Sequence, residues 1–340
     1  MNQFTYPTNA ELREIEPDLV KQLTLNDPLF GFFPIRYENA DVLMWEAYDR
    51  MTGLQSVRGL NGDPTHVRPV GAKGYVAQPG VYGEFRRIDE KRMTQARPLG
   101  QMAGAIDLTR EVRREQDYLL GREIDRIRQI GWTLVGTGTF SVLNESGQVI
   151  HTDRYTMQTA TAGVVWSTSA TASPLADFRS VQLLSRGHSV DFGSGAVAYM
   201  NRATFNELVT NTNTNDVAGR RVTGLLSPLN LEEINRILLG EGLPQIQIYD
   251  QGYIDDNDTF QLFIPNDVVI IVGQRTTGAA LGEYRMTRNA NNPNFAPGPY
   301  VHVVDSLNGD KPVPRRIEVH RGHNGGPVLF YPNGIVRMSV

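Results

Sequence analysis

Cysteine is absent from the 340 residues. That absence removes disulfides, zinc–thiolate sites and cysteine nucleophiles together, and it fits folding in a reducing cytoplasm. Lysine is scarce: Lys21, Lys73, Lys91 and Lys311 are the only four among 33 lysines and arginines. Arginine's planar fork favours ion pairs shared across interfaces. An excess of positive charge is also missing, since the formal net charge is -4. The chain therefore has no basic face for gripping duplex DNA, and a nucleic-acid role would be containment. No apolar run approaches the roughly 20 residues of a membrane helix, and the N-terminus lacks a charged-then-apolar signal layout. These absences describe a soluble protein that is not secreted, with 40% hydrophobic residues available for a core.

What is present is organised around one stretch, Asp107 to Leu134. Val112, Leu119, Leu120, Ile124, Ile127, Ile130 and Leu134 recur at spacings of three, four and seven, along one side of a 3.6-period helix. The other sides are charged, with i,i+3 pairs Arg114–Asp117, Arg122–Asp125, Glu123–Arg126 and Asp125–Arg128, each worth roughly 0.2–0.5 kcal/mol when solvated. Asp107 is placed to cap the start, and Gly136 to Gly138 to stop the end. At about 1.5 Å per residue the rod is roughly 40 Å long. One apolar seam and three polar sides describe a beam lying across a sheet, with charged faces in need of neighbours.

Before it, Thr8-Asn9-Ala10-Glu11 is a capping box opening a short helix, expected to break at Pro17 and end near Leu23. DPLFGFFPIR then crowds Leu29, Phe30, Phe32, Phe33 and Ile35 among Pro28, Gly31 and Pro34, an arm that needs another surface to lie on. DVLMWEAY at 41–48 reads as a core strand or short helix. Residues 50 to 105 are punctuated by glycine and proline, which excludes an amphipathic helix and suggests a long two-stranded excursion. Its legs would be Thr65 to Val70 and Gly83 to Met93, with too little core to stand alone. The return leg mixes signs densely in Glu84, Arg86, Arg87, Asp89, Glu90, Lys91 and Arg92.

After the long helix, a hairpin turns at Glu145-Ser146-Gly147. A helix opens at Pro174 and stops by Gly187. Within 190 to 255 the order is strand, helix capped by Asn201 or Thr204, helix capped by Asn230 and stopped by Gly240, then strand, which is an α+β module. The last third is β-rich, with turns at Asn266, Gly278, Gly298 and Asn308-Gly309. It closes on GPVLFYPNGIVRMSV, read as a proline-framed strand pair.

Sites for chemistry are few. His320 and His323 in HRGHNGG offer two metal ligands, but no third or fourth has the right spacing, so the segment reads as a loop with two incidental histidines. Asp256-Asn257-Asp258 begins like a calcium loop and fails at its sixth position, Gln261, where glycine is required. Gly136-Thr137-Gly138 has no lysine following and is a helix stop. Ser194 lacks an assigned base. No catalytic, cofactor or metal residue is assigned.

The order of parts resembles the major capsid proteins of tailed bacteriophages with the Hong Kong 97-type fold, in particular the lambda-type capsid protein E family. RIRQIGWTLVGTGTF at 126–140, FIPNDVVIIVG at 263–273, the run after Gly282 and GGPVLFYPNGIVRMSV at 325–340 carry the likeness. It implies an α+β fold with an N-terminal arm (1–48), an E-loop (49–106), a P domain (107–175 and 280–320, with a spine helix at 107–135) and an A domain (176–279 and 321–340). It further implies a structural, non-enzymatic protein of the virion that assembles in the host cytoplasm into pentamers and hexamers of an icosahedral shell around double-stranded DNA. A separate scaffolding protein, a portal and a decoration protein are the expected partners, because no pre-sequence resembling a fused scaffold is seen. Phe30, Phe32, Phe33 and the charges Glu84, Arg86, Arg87, Asp89, Glu90, Lys91 and Arg92 are then the expected inter-subunit contacts. Reversing Arg86 and Arg87 should impair assembly and leave the subunit folded. The alternatives are an encapsulin-like compartment of the same fold and an unrecognised β-rich enzyme.

Overall fold

The capping box forms as read in the computed structural model, which describes residues 4–47, 54–66, 73–96, 106–144, 146–217, 229–255, 257–275, 280–306 and 316–340. Thr8 and Glu11 bond reciprocally at the start of helix α1 (Asn9–Thr24), with the Glu11 carboxylate accepting from the Thr8 N–H at 2.7 Å. Pro17 does not break this helix. It lies on the exposed side, where its missing N–H removes one hydrogen bond, while Leu12 and Glu16 on the inner side are buried and hold the helix down. Asp27 caps the short helix α2 (Pro28–Phe32) by accepting from Leu29 N–H at 3.0 Å.

The excursion differs from its expected form. The strand Lys73–Ala77 pairs antiparallel with Leu43–Ala47, so of the stretch 41–48 residues 43–47 form a strand, and 48 lies outside the described residues. The return leg is a strand, Gly80–Ile88, that pairs with Ile317–Leu329 of the same subunit and is followed by helix α3 (Glu90–Gln95). Among the described residues the two legs do not pair with each other. Met93 explains the helix: burying it anchors one turn that charge alone would leave open. Residues 67–70 of the first leg, Gly278 and Asn308-Gly309 lie outside the described residues.

The long helix is α4 (Thr109–Thr137), 29 residues, and all seven residues of its predicted seam are buried. Asp107 accepts from Thr109 N–H at 2.9 Å. Gly138 ends the helix at φ 68, a left-handed conformation that favours glycine.

Helices α5 (Pro174–Gln182), α6 (Arg202–Thr210), α7 (Thr212–Val217) and α8 (Leu231–Gly240) follow. Asn201 caps α6, and Asn230 forms a capping box with Glu233 on α8. The stop after α8 is Gly242, at φ 70, rather than Gly240.

Two five-stranded sheets carry the core. One orders Tyr300–Asp305, Ile317–Leu329, Gly282–Met286 and Ile35–Tyr37, with Gly80–Ile88 also on Ile317–Leu329. The other orders Gln245–Ile248, Val197–Met200, Val268–Val272, Ile335–Ser339 and Gln158–Thr161. Val268–Val272 is buried throughout, as a strand covered on both faces should be. Helix α4 packs on both sheets and joins them.

The closing segment therefore is not a strand pair. Ile317–Leu329 and Ile335–Ser339 belong to different sheets, and the turn at Pro332–Gly334 carries the chain between them. HRGHNGG is not a loop either. It lies inside a 13-residue strand, and its glycines are spacing devices: a Cβ on Gly322 would sit 2.2 Å from Tyr82 O, and one on Gly325 2.6 Å from Arg285 O. Residues 320 and 321, the expected boundary between P and A domains, are mid-strand.

Candidate functional site

The long strand Ile317–Leu329 delivers Arg321 and His323 to one face, against Glu123 of α4 and Glu16 of α1. Arg321 Nη2 donates to Glu16 Oε1 at 2.6 Å, and Arg321 Nε donates to Glu123 Oε2. His323 Nδ1 lies 2.7 Å from Glu123 Oε1, and the Tyr284 hydroxyl lies 2.9 Å from His323 Nε2. All five charged or titratable members are at least nine-tenths buried. Burial pushes the Glu123 carboxyl up, but Arg321 and His323 outweigh it and hold it at about 2. Glu16 goes the other way: burial raises it more than Arg321 lowers it. The Tyr284 phenol is pushed well up by burial. Such a cluster needs its charges paired, because unpaired buried charge costs several kcal/mol.

This arrangement replaces most of the expected i,i+3 pairs on α4. Of the four, Asp125–Arg128 forms at 2.9 Å among the described residues. Glu123 turns inward, and Arg122 instead makes a two-pronged bond with Glu84, 2.7 Å from Nη2 to Oε1.

The expected contact residues divide into groups. Phe33 is fully buried in its own subunit, beneath Gly282. Phe32 packs edge-on to Trp132 at 6.0 Å and near Tyr199 at 5.9 Å, and Phe30 is partly buried on the same core. The surface that the arm needs is thus its own α4. Asp27 fixes it there, 2.6 Å from Arg128 Nε, and accepts from the Tyr249 hydroxyl at 3.2 Å. Arg86 and Arg92 both reach the buried Glu115, Arg87 reaches Glu318 at 3.0 Å, and Glu84 is taken by Arg122. Asp89, Glu90 and Lys91 are exposed and make no ion pair among the described residues.

Two features were not read from the sequence. The first is a groove of about 770 Å³ beside the strand Gly80–Ile88, walled by Tyr82, Tyr118, Arg126, Gln129, Tyr253 and Asp255, with Arg321 and His323 at its base. Arg126 has no carboxylate partner among the described residues. The second is the loop 54–66, exposed at every position, where Leu54, Val57 and Leu60 have essentially their full surface in water. A small turn shapes it, with Gly62 N–H to Gly59 O and Arg58 Nη1 to Gly62 O, both 3.0 Å.

No group of three or more His, Asp or Glu is arranged to hold a metal among the described residues. His320 lies 3.3 Å from Glu318 and stacks on Phe85, and His323 belongs to the buried cluster. Of the calcium-like stretch, Asp256 lies outside the described residues, and Asn257 and Asp258 lie in a polar turn in which Asp255 accepts from Asn257 and Thr259 N–H, both at 2.9 Å.

Residues 30–303 match the model of the family described as phage major capsid protein E. Among solved structures the chain is similar to a protein described as a capsid protein of a prophage of E. coli CFT073, with 16% identity, 95% of this chain and 98% of that one covered, and a TM-score of 0.58. It is also similar to a phage-related protein from Bordetella bronchiseptica RB50, with 9% identity, 95% and 96% covered, and a TM-score of 0.57. At these identities the likeness is one of fold. No curated protein matches the chain by sequence.

Proposed function

Because the chain belongs to the phage major capsid protein E family, matched over residues 30–303, we propose a specific way in which its copies meet. The protein is a structural component of the virion, a capsid shell subunit with the Hong Kong 97-type fold. Family and fold imply a non-enzymatic role.

The proposal extends to pentamers and hexamers as the units of the shell. It includes assembly in the host cytoplasm on a separate scaffolding protein, with a portal and a decoration protein as further partners; family membership supports this. In the corresponding division of the chain, the end of the arm stays where the sequence puts it, the boundary at 106/107 moves to 105/106 because Ile106–Asp107 is one strand, and that at 175/176 moves to 173/174 because Pro174–Gln182 is one helix. The last boundary moves from 320/321 to 329/330, because Ile317–Leu329 is one strand.

The observation that carries the contact is the loop 54–66. Three apolar side chains fully in water contribute no burial to an isolated subunit, and a shell supplies the same missing surface to every copy. The groove beside Gly80–Ile88 fits as the receiving surface on a second copy. It offers aromatic walls for Leu54, Val57 and Leu60, with Asp117 and Arg126, which make no ion pair among the described residues, to meet Arg58 and Asp63 of the loop. Asp89, Glu90 and Lys91 on the exposed side of α3 remain proposed contacts.

The absence of cysteine makes the test clean. Chains carrying Leu60→Cys and chains carrying Gln129→Cys, co-assembled and mildly oxidised, should give a disulfide-linked dimer that neither chain gives alone. Particles without that dimer would refute the docking while leaving the shell role intact. Failure of wild-type chains to form particles would count against the shell role.

A further inference from the structure

Asparagine followed by glycine occurs four times in the chain, at 61, 308, 324 and 333. Such a pair carries its own chemistry, because glycine lets its backbone nitrogen approach the preceding side chain with no Cβ in the way. Asn308 lies outside the described residues, and the other three asparagines stand in different surroundings.

Asn324-Gly325 lies inside the strand Ile317–Leu329, where Gly325 pairs with Gly80 on one side and Met286 on the other. The Asn324 amide is held as well, its Nδ2 donating to Arg288 O at 2.8 Å. Asn333-Gly334 and Asn61-Gly62 make a closer comparison, since each glycine N–H donates to the carbonyl three residues back at 3.0 Å. Burial separates them. Gly334 is buried in the turn between the two sheets, against Leu281 and Val190, so freeing its nitrogen means opening the core. Gly62 sits in the loop 54–66, where every position is exposed, and opening its turn uncovers nothing. We propose that Asn61 is a spontaneous deamidation site of the unassembled subunit, converted to aspartate or isoaspartate by attack of the Gly62 backbone nitrogen on its side chain.

The step consumes only water. Gly62 N gives its proton to hydroxide and bonds to Asn61 Cγ, while the Cγ–Nδ2 bond breaks and ammonia leaves, taking a proton from water. A second water opens the cyclic succinimide at either carbonyl, which leaves the chain intact through the main-chain or the side-chain carbon. The product carries one new negative charge next to the exposed Leu60. Because the attacking group is a deprotonated amide, the rate rises with pH.

The full chain, kept unassembled in mildly alkaline buffer and digested at intervals, is read by mass spectrometry, with enzymatic methylation of isoaspartate as a second readout. Asn61 should convert more than about tenfold faster than Asn324 and Asn333, which wait on opening of the core. Gly62→Ala should slow it severalfold. A Cβ at 62 meets nothing nearer than Gly59 N at 3.4 Å, so that variant keeps the loop. Asn61 left unconverted in the folded chain, while the urea-unfolded chain converts there, would overturn the inference. So would Asn324 or Asn333 keeping pace with Asn61 in the folded chain, or an unchanged rate in Gly62→Ala.

Discussion

Arg321 and Glu16 are 305 positions apart in the chain, and their side chains meet at 2.6 Å in the interior. Arg321 also holds Glu123, so one guanidinium ties α1, α4 and the long strand together. Arg321→Met keeps most of the volume, strips the buried Glu16 of its cation and leaves Glu123 with His323 alone. The expected loss is about 3–5 kcal/mol, the usual cost of breaking a buried pair from one side. Urea unfolding measures it, and a loss under about 1 kcal/mol would mean the cluster is not bearing charge. Adding Glu16→Gln and Glu123→Gln to Arg321→Met should recover most of the loss. In acid, the Glu123 contribution is complete above about 4.5 and is lost as pH falls toward about 2.

Charge reversal at Arg86 and Arg87 is no longer expected to spare the subunit. Arg86 lies 2.7 Å from Glu115, which is almost fully buried, so Arg86→Glu sets two carboxylates against each other. Arg86 is itself partly in water, so the expected loss is moderated to about 1–3 kcal/mol. Arg87→Glu faces the better-solvated pair with Glu318 and should cost about 1 kcal/mol or less. Thermal unfolding of the two single variants checks the order, and equal losses would contradict it. Lys91→Glu, at an exposed and unpaired position, should leave unfolding unchanged and affect particle yield alone.

How far these features were legible depends on what kind of information they need. Periodicity is local, so the seam of α4 and the caps at Thr8, Asn201 and Asn230 could be read from neighbours within four residues. Glu123 could not. A helical wheel separates polar from apolar, and nothing near position 123 announces that Arg321 and His323 will arrive to bury it. The same limit hid the partners of Arg86 and Phe33, Glu115 and Gly282, which come from other elements. HRGHNGG was misread for a different reason: glycine usually weakens a strand, and here it is required because flanking backbones come close on both sides.

Gly282 offers a test of that packing. A Cβ there would lie 2.5 Å from Phe33 Cε2 and 2.5 Å from Val328 O, and the backbone oxygen cannot move aside cheaply. Gly282→Ala should lose about 1–3 kcal/mol by overpacking. An unchanged midpoint in urea would show that the arm is not seated against this strand.

The shell is expected to close without covalent cross-links. Attack by lysine on a side-chain amide needs a neutral amine, which an apolar pocket provides. Lys73 is exposed over the Tyr75 ring at 5.0 Å, and Lys91 is exposed on α3. Particles boiled in denaturing detergent should release one band near 37.9 kDa. A ladder that survives boiling and collapses in Lys73→Arg would refute this.

The shell role itself is tested most directly by electron microscopy of the chain, expressed alone and together with a candidate scaffolding protein of the kind proposed above. Closed icosahedral particles are predicted, with Leu60→Asp lowering their yield while leaving the subunit's unfolding unchanged. A chain that remains a monomer under every assembly condition, with 54–66 in the same conformation, would contradict it.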